Sequence, residues 1–173
     1  MKRMIIGGAV GLLILATTAR AQSVDRGSWE LTLAGVGTSS KDFDSHALGA
    51  SAGVGYFFFD AIELGLRQTV TYVDNPDTFA TNASTTLALD LHLPLGGRGR
   101  IVPFIGANAG YYYGDSFRDS FEFGPEAGVK WFVNDSTFLF ARVEYQMYGN
   151  GGIGPSEFED KQWVYVVGIG LRF

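Results

Sequence analysis

The chain has 173 residues, no cysteine and a formal net charge of −5, which leaves no disulfide or thiolate chemistry and argues against nucleic acid or anionic lipid as a partner. Its 24 glycines stand beside 14 Phe, 8 Tyr and 3 Trp. That mixture suits many short strands with aromatic anchors rather than helices.

Lys2 and Arg3 form a charged start, Ile5 to Ala16 is an apolar run interrupted only by glycines, and Ala19-Arg20-Ala21 is a small-x-small cleavage site. This predicts a signal peptide over residues 1–21 and one mature domain over 22–173. The apolar run is too short for an ordinary transmembrane helix; an uncleaved anchor is the alternative. Removing Lys2, Arg3 and Arg20 with the signal takes the net charge from −5 to −8.

Alternation of apolar and other residues predicts eight strands: Ser28 to Thr38, His46 to Phe58, Ile62 to Val73, Ala83 to Leu93, Ile101 to Tyr113, Phe121 to Val133, Thr137 to Tyr148 and Gln162 to Phe173. The connections Phe59 to Ala61, Pro94 to Arg100 and Asn134 to Ser136 are short. Those over Ser39 to Ser45, Asp74 to Asn82, Gly114 to Ser120 and Gly149 to Lys161 are mostly longer and polar. Short turns at one end and long loops at the other predict an all-β, eight-stranded, antiparallel up-and-down transmembrane barrel with both termini at the short-turn, periplasmic end.

One strand face is continuously apolar. The other carries Glu30, Glu63, Arg67, Asp90, His92, Asn108, Glu126, Lys130, Arg142, Glu144, Gln162 and Arg172. A soluble lipocalin-like barrel would show the same alternation inverted, so other features must decide which face is inside. The charged face also holds Gly53, Gly55, Gly65, Gly106, Gly110, Gly128, Gly168 and Gly170 beside Phe57, Phe104, Phe132, Phe138 and Phe140. Small beside large suits a cramped lumen. On the apolar face, aromatics gather in two bands, with Trp29, Tyr56, Trp131 and Phe173 toward the short turns and Tyr72, Tyr111, Tyr113, Phe123 and Trp163 toward the loops. Two such girdles mark the two membrane interfaces.

The inward charges nearly balance, and Glu30, Glu63, Arg67, Asp90, Glu126, Lys130, Arg142, Glu144 and Arg172 are expected to form a lumen charge network. Arg67 is expected to neutralise Glu63 and Asp90, Arg142 to neighbour Glu126 and Glu144, and Glu30 to meet Arg172 where the barrel closes. A charged pore and a self-satisfying polar plug both fit this set. The plug is the simpler reading, because paired charges are the usual solution to burial.

The last strand places Trp163, Tyr165, Val167, Ile169, Leu171 and Phe173 on one face. It resembles the C-terminal assembly signal of bacterial outer-membrane barrels, which implies that Tyr165, Ile169, Leu171 and Phe173 are read by the barrel-assembly machinery. Gly53-Val-Gly-Tyr-Phe-Phe-Phe-Asp with Ile62-Glu-Leu-Gly-Leu-Arg, Val102-Pro-Phe-Ile-Gly-Ala, and Phe123-Gly-Pro-Glu-Ala-Gly-Val-Lys resemble the strand-turn-strand phrases of the small outer-membrane β-barrel superfamily, with its OmpA-type barrel domains and OmpX-like proteins. The resemblance implies a monomer in the outer-membrane lipid of a Gram-negative-type bacterium. It is specific for fold and weak for activity.

Catalysis would have to find its groups among two histidines. In Asp44-Ser45-His46 an extended backbone turns Ser45 away from the other two, and His92 lacks the serine two residues away that a lipid A deacylase barrel would place on its lipid face. No nucleotide loop, zinc spacing or calcium loop is present, so no catalytic, cofactor or metal residue is assigned. The loops carry Asp42, Asp44, Asp74, Asp77, Asp115, Asp119, Glu157, Glu159 and Asp160, with Phe43, Phe79, Phe117 and Phe158 among them. Either these are solvated tips and interfacial anchors or they form an acidic rim that gathers divalent cations or a basic extracellular ligand. The expected role is structural or surface-interacting, of the adhesion type. A narrow channel for small solutes or apolar molecules is the alternative, and a lipid A-modifying enzyme is third.

Overall fold

The computed structural model describes residues 26–40, 46–75, 78–93, 100–114, 120–149 and 161–173. Eight strands follow one another: β1 (Trp29–Ser40), β2 (His46–Phe59), β3 (Ile62–Asn75), β4 (Thr78–His92), β5 (Ile101–Gly114), β6 (Ser120–Phe132), β7 (Thr137–Gly149) and β8 (Lys161–Arg172). Each pairs antiparallel with the next, and β1 closes on β8 from Glu30↔Arg172 to Ser40↔Gln162. Closure leaves no unpaired edge, which a sheet in lipid cannot carry. Strands of 12 to 15 residues exceed the roughly 9–11 that a tilted strand needs to cross the hydrocarbon.

Two short turns have local causes. Between β2 and β3, Ala61 takes φ 72° after a register shift between Phe57 and Phe59. Between β6 and β7, the Asn134 side-chain oxygen accepts from the backbone N–H of Ser136 at 2.9 Å and of Thr137 at 2.8 Å, an Asx turn. The loop expected over Asp74 to Asn82 is instead part of a hairpin. The ladder continues through Val73↔Ala80, Asp74↔Phe79 and Asn75↔Thr78, because Thr78, Phe79 and Thr81 favour extended backbone and outweigh the polar composition that predicts a loop. Residues 41–45, 94–99, 115–119 and 150–160 of the other connections lie outside the described residues.

Side chains alternate along the strands, apart from the register shift in β2 that leaves both Phe58 and Phe59 exposed. Phe57, Phe132 and Phe138 are wholly buried inside the barrel together with Glu30, Asp90, Glu126 and Lys130. Leu33, Leu48, Leu89, Val167 and Ile169 stand exposed outside. A soluble barrel would bury the second set and expose the charges; exposed apolar area on this scale means contact with lipid. The lumen is filled in part by pairing large side chains with glycines on the adjacent strand: Gly128↔Phe104, Gly168↔Phe140, Gly170↔Phe138 and Gly106↔Asp90. A Cβ on Gly170 would lie 2.1 Å from the Phe138 ring and one on Gly106 2.0 Å from Asp90 Oδ1.

Aromatic contacts reinforce the outer surface at both rims. Trp29 packs on Tyr56 at 4.8 Å near the short turns, and Tyr145 on Trp163 at 4.8 Å near the loops. One polar group interrupts the apolar belt. Gln68 Nε2 donates to the Tyr113 hydroxyl at 3.0 Å and Thr85 donates to Gln68 Oε1 at 2.7 Å, so three neighbouring strands satisfy these side chains among themselves.

Candidate functional site

The lumen holds the chemistry-bearing side chains, and they sort into two tiers. In the tier nearer the short turns, Glu30 Oε1 accepts from Arg172 Nε at 2.9 Å and Nη2 at 2.7 Å. Its other oxygen accepts from Lys130, which also donates to Glu63 at 2.7 Å. Two carboxylates thus meet two cations. Aromatic rings surround the cations: Lys130 Nζ lies 5.2 Å from the Phe138 centroid and 5.5 Å from Phe57, and the Arg172 guanidinium lies 4.4 Å from Phe132. Such contacts supply part of the stabilisation that dehydration removes. His92 Nε2 sits 3.4 Å from Glu63, with its ring stacked on Phe104 at 5.4 Å.

The second tier centres on Arg67. Its Nη1 and Nη2 grip both oxygens of Glu126 at 2.8 Å, and Nη2 also donates to Asp90 at 2.8 Å. Arg142 Nε donates to Glu144 at 2.6 Å and lies 3.9 Å from Glu126. Asn108 donates to Glu126 at 2.6 Å, and Gln146 donates to Asn108 Oδ1 at 3.0 Å and to Glu144 at 2.7 Å. A forked guanidinium is suited to this bidentate work, and a lysine would not be.

All nine residues of the expected network line the lumen, but one expected pairing is absent. Arg67 takes Asp90 and Glu126, while Glu63 goes to Lys130. Glu63 and Arg67 are four residues apart on one strand, about 13 Å along an extended backbone. Glu63 and Asp90 face each other directly, so like charges favour separate cations. Glu122 belongs to the same lumen row of β6 as Glu126 and Lys130, is buried, and accepts from Thr86 at 2.7 Å. Glu122 and Gln146 stand outside the expected network, although the period-two pattern that selects Glu126 and Glu144 selects both.

Voids between these side chains are small. One of about 30 Å³ lies beyond the Arg67 tier, and one of about 20 Å³ lies between the tiers beside Gly55, Phe104 and Lys130. Each has room for one or two waters. Among the described residues no group of three His, Cys, Asp or Glu converges in a metal-binding arrangement. Of the tempting Asp44-Ser45-His46 run, Asp44, Ser45 and the His46 side chain lie outside the described residues, as do most acidic loop residues.

On the other face, Tyr165, Ile169, Leu171 and Phe173 form an exposed stripe along β8. Ile169 pairs with Leu33 and Leu171 with Leu31. Phe173 exchanges backbone hydrogen bonds with Trp29 at 2.8 and 3.0 Å, which ties the last residue into the closing seam.

No family model and no curated protein matches the chain. Solved structures do match. The outer membrane protein OprG from Pseudomonas aeruginosa superposes with a TM-score of 0.66 at 15% identity, covering 88% of this chain and 99% of that one. Neisserial surface protein A superposes with a TM-score of 0.66 at 17% identity, covering 84% and 96%. Ail, the attachment invasion locus protein of Yersinia pestis, gives 0.52 at 16% identity, covering 86% and 99%. The chain has the fold of the small eight-stranded outer-membrane barrels.

Proposed function

We propose that this protein is a monomeric outer-membrane barrel with a closed lumen, whose role is structural or surface-interacting and not catalytic. Residues 1–21 act as a cleaved signal peptide. The stripe Tyr165, Ile169, Leu171 and Phe173 is the handle for the barrel-assembly machinery. The nine-residue network Glu30, Glu63, Arg67, Asp90, Glu126, Lys130, Arg142, Glu144 and Arg172 is a plug that holds strand register. The observation carrying this reading is that, among the described residues, the lumen is filled by two tiers of ion pairs and buried phenylalanines, with voids of about 30 and 20 Å³ between them. A solute-conducting path needs far more.

With the barrel closed, contact with the outside falls to the loops. Ail has been solved with a heparin analogue, sucrose octasulfate. A polyanion of that kind suits this chain poorly, because Asp42, Asp44, Asp115, Asp119, Glu157, Glu159 and Asp160 make its long connections acidic. A basic partner is the better match.

The test is topology on intact cells. An epitope inserted within residues 150–160 is expected to be labelled from outside, and one inserted at Asn134–Ser136 only after the outer membrane is broken. The reverse pattern, or labelling of neither site in intact cells, overturns the surface role.

A further inference from the structure

We infer that the loop-side half of the lumen binds one monovalent cation against Glu122 and Glu144, with the side-chain oxygen of Gln146 as a neutral ligand. The charge distribution points there. The short-turn tier balances, with Glu30 and Glu63 against Lys130 and Arg172. The loop-side half does not: among the described residues, Asp90, Glu122, Glu126 and Glu144 face only Arg67 and Arg142. Glu122 is 4% exposed and takes its hydrogen bond from Thr86; among the described residues no cation pairs with it. Buried charge without a counter-charge is costly.

A second observation is independent of charge. Gln146 is 3% exposed, and its Oε1 is a buried acceptor without a hydrogen-bond partner, although its Nε2 is fully engaged. Glu122, Glu144, Gln146 and Tyr148 all line the void of about 30 Å³. That space has room for one small ion together with a water. Two carboxylates and an amide oxygen present hard oxygen ligands. Three oxygens are too few to repay stripping the water from a divalent ion, so an alkali-metal ion, which gives up its water at far lower cost, is the class. The site is independent of the closed-lumen reading, since a conducting barrel would still carry it.

The probe is potassium or sodium chloride, exchanged for N-methylglucamine chloride at constant ionic strength and pH, with urea unfolding of the refolded barrel as the readout. Mass action makes the unfolding equilibrium shift roughly tenfold when the ion is at ten times its dissociation constant. The wild type is expected to show a saturable shift of this kind with at least one of the two ions. Glu122→Gln is expected to remove it, and Gln146→Leu, which keeps every charge, to raise the half-saturating concentration severalfold. Where Glu122→Gln does not refold, Gln146→Leu alone decides. The same stability in all three salts means that protons neutralise the surplus charge and overturns the proposal, as does an ion effect unchanged in both variants.

Discussion

Glu63 and Asp90 are paired directly across the β3–β4 ladder, yet their carboxylates go to different cations, Lys130 at 2.7 Å and Arg67 at 2.8 Å. The division separates two tiers of the lumen that the strand register alone would have joined. It also makes the partnership of each charge testable.

Removing one member of a buried pair leaves the other uncompensated, at a cost of about 3–5 kcal/mol. Arg67→Met and Lys130→Met are each expected to lose stability of that order in urea unfolding. In double-mutant cycles Arg67→Met should couple with Asp90→Asn, and Lys130→Met with Glu63→Gln, by roughly 0.5–3 kcal/mol. Coupling between Arg67→Met and Glu63→Gln as large as either would contradict the tier assignment.

Some lumen glycines make room for phenylalanines, so adding one methyl against a ring should matter where it would not at an open position. In Gly170→Ala the new Cβ would meet the Phe138 ring at 2.1 Å, whereas in outward-facing Gly35→Ala the nearest atom is 3.9 Å away. Overpacking of this kind costs about 1–3 kcal/mol. Urea unfolding should show that loss for Gly170→Ala, with partial recovery in Gly170→Ala/Phe138→Leu, and little change for Gly35→Ala.

Adjacent positions on β3 test which face meets lipid. Leu66 points outward and is 46% exposed, while Gly65 faces the lumen with its nearest neighbour 3.8 Å from a built Cβ. Leu66→Arg is expected to cost about 2–4 kcal/mol near the bilayer midplane and to impair refolding into vesicles, and Gly65→Ser to refold normally. Equal tolerance at the two sites would reverse inside and outside.

Phe173 is the most exposed of the β8 stripe at 74%, so its ring adds little to packing within the barrel. Deleting it should leave refolding in detergent largely intact and sharply reduce the folded, heat-modifiable form in the outer membrane of cells. Normal cellular levels after the deletion would remove the assembly-signal role and leave the fold unaffected.

Much of the architecture was legible because a strand's side chains have only two directions. Glu30, Lys130 and Phe138 fall inside and Leu31, Trp131 and Leu139 outside by parity alone, and that same parity marks Glu122 and Gln146 as lumen residues. Partner choice was not legible. Arg67 has a side chain long enough to leave its own register row, and its destination depends on which carboxylates across the lumen already hold other cations. The hairpin over Asp74 to Asn82 was hidden for a different reason: polar residues between girdle and tip read as loop, although the ladder extends beyond the girdle through Asn75↔Thr78.

The proposed closure of the lumen by two tiers of ion pairs is tested most directly by conductance of the refolded barrel in planar bilayers, where the wild type is expected to show no stable conducting steps. Leakage is expected only when a tier is dismantled, as in Lys130→Ala combined with Phe138→Ala. Steady ohmic conductance through the unmodified barrel would contradict it.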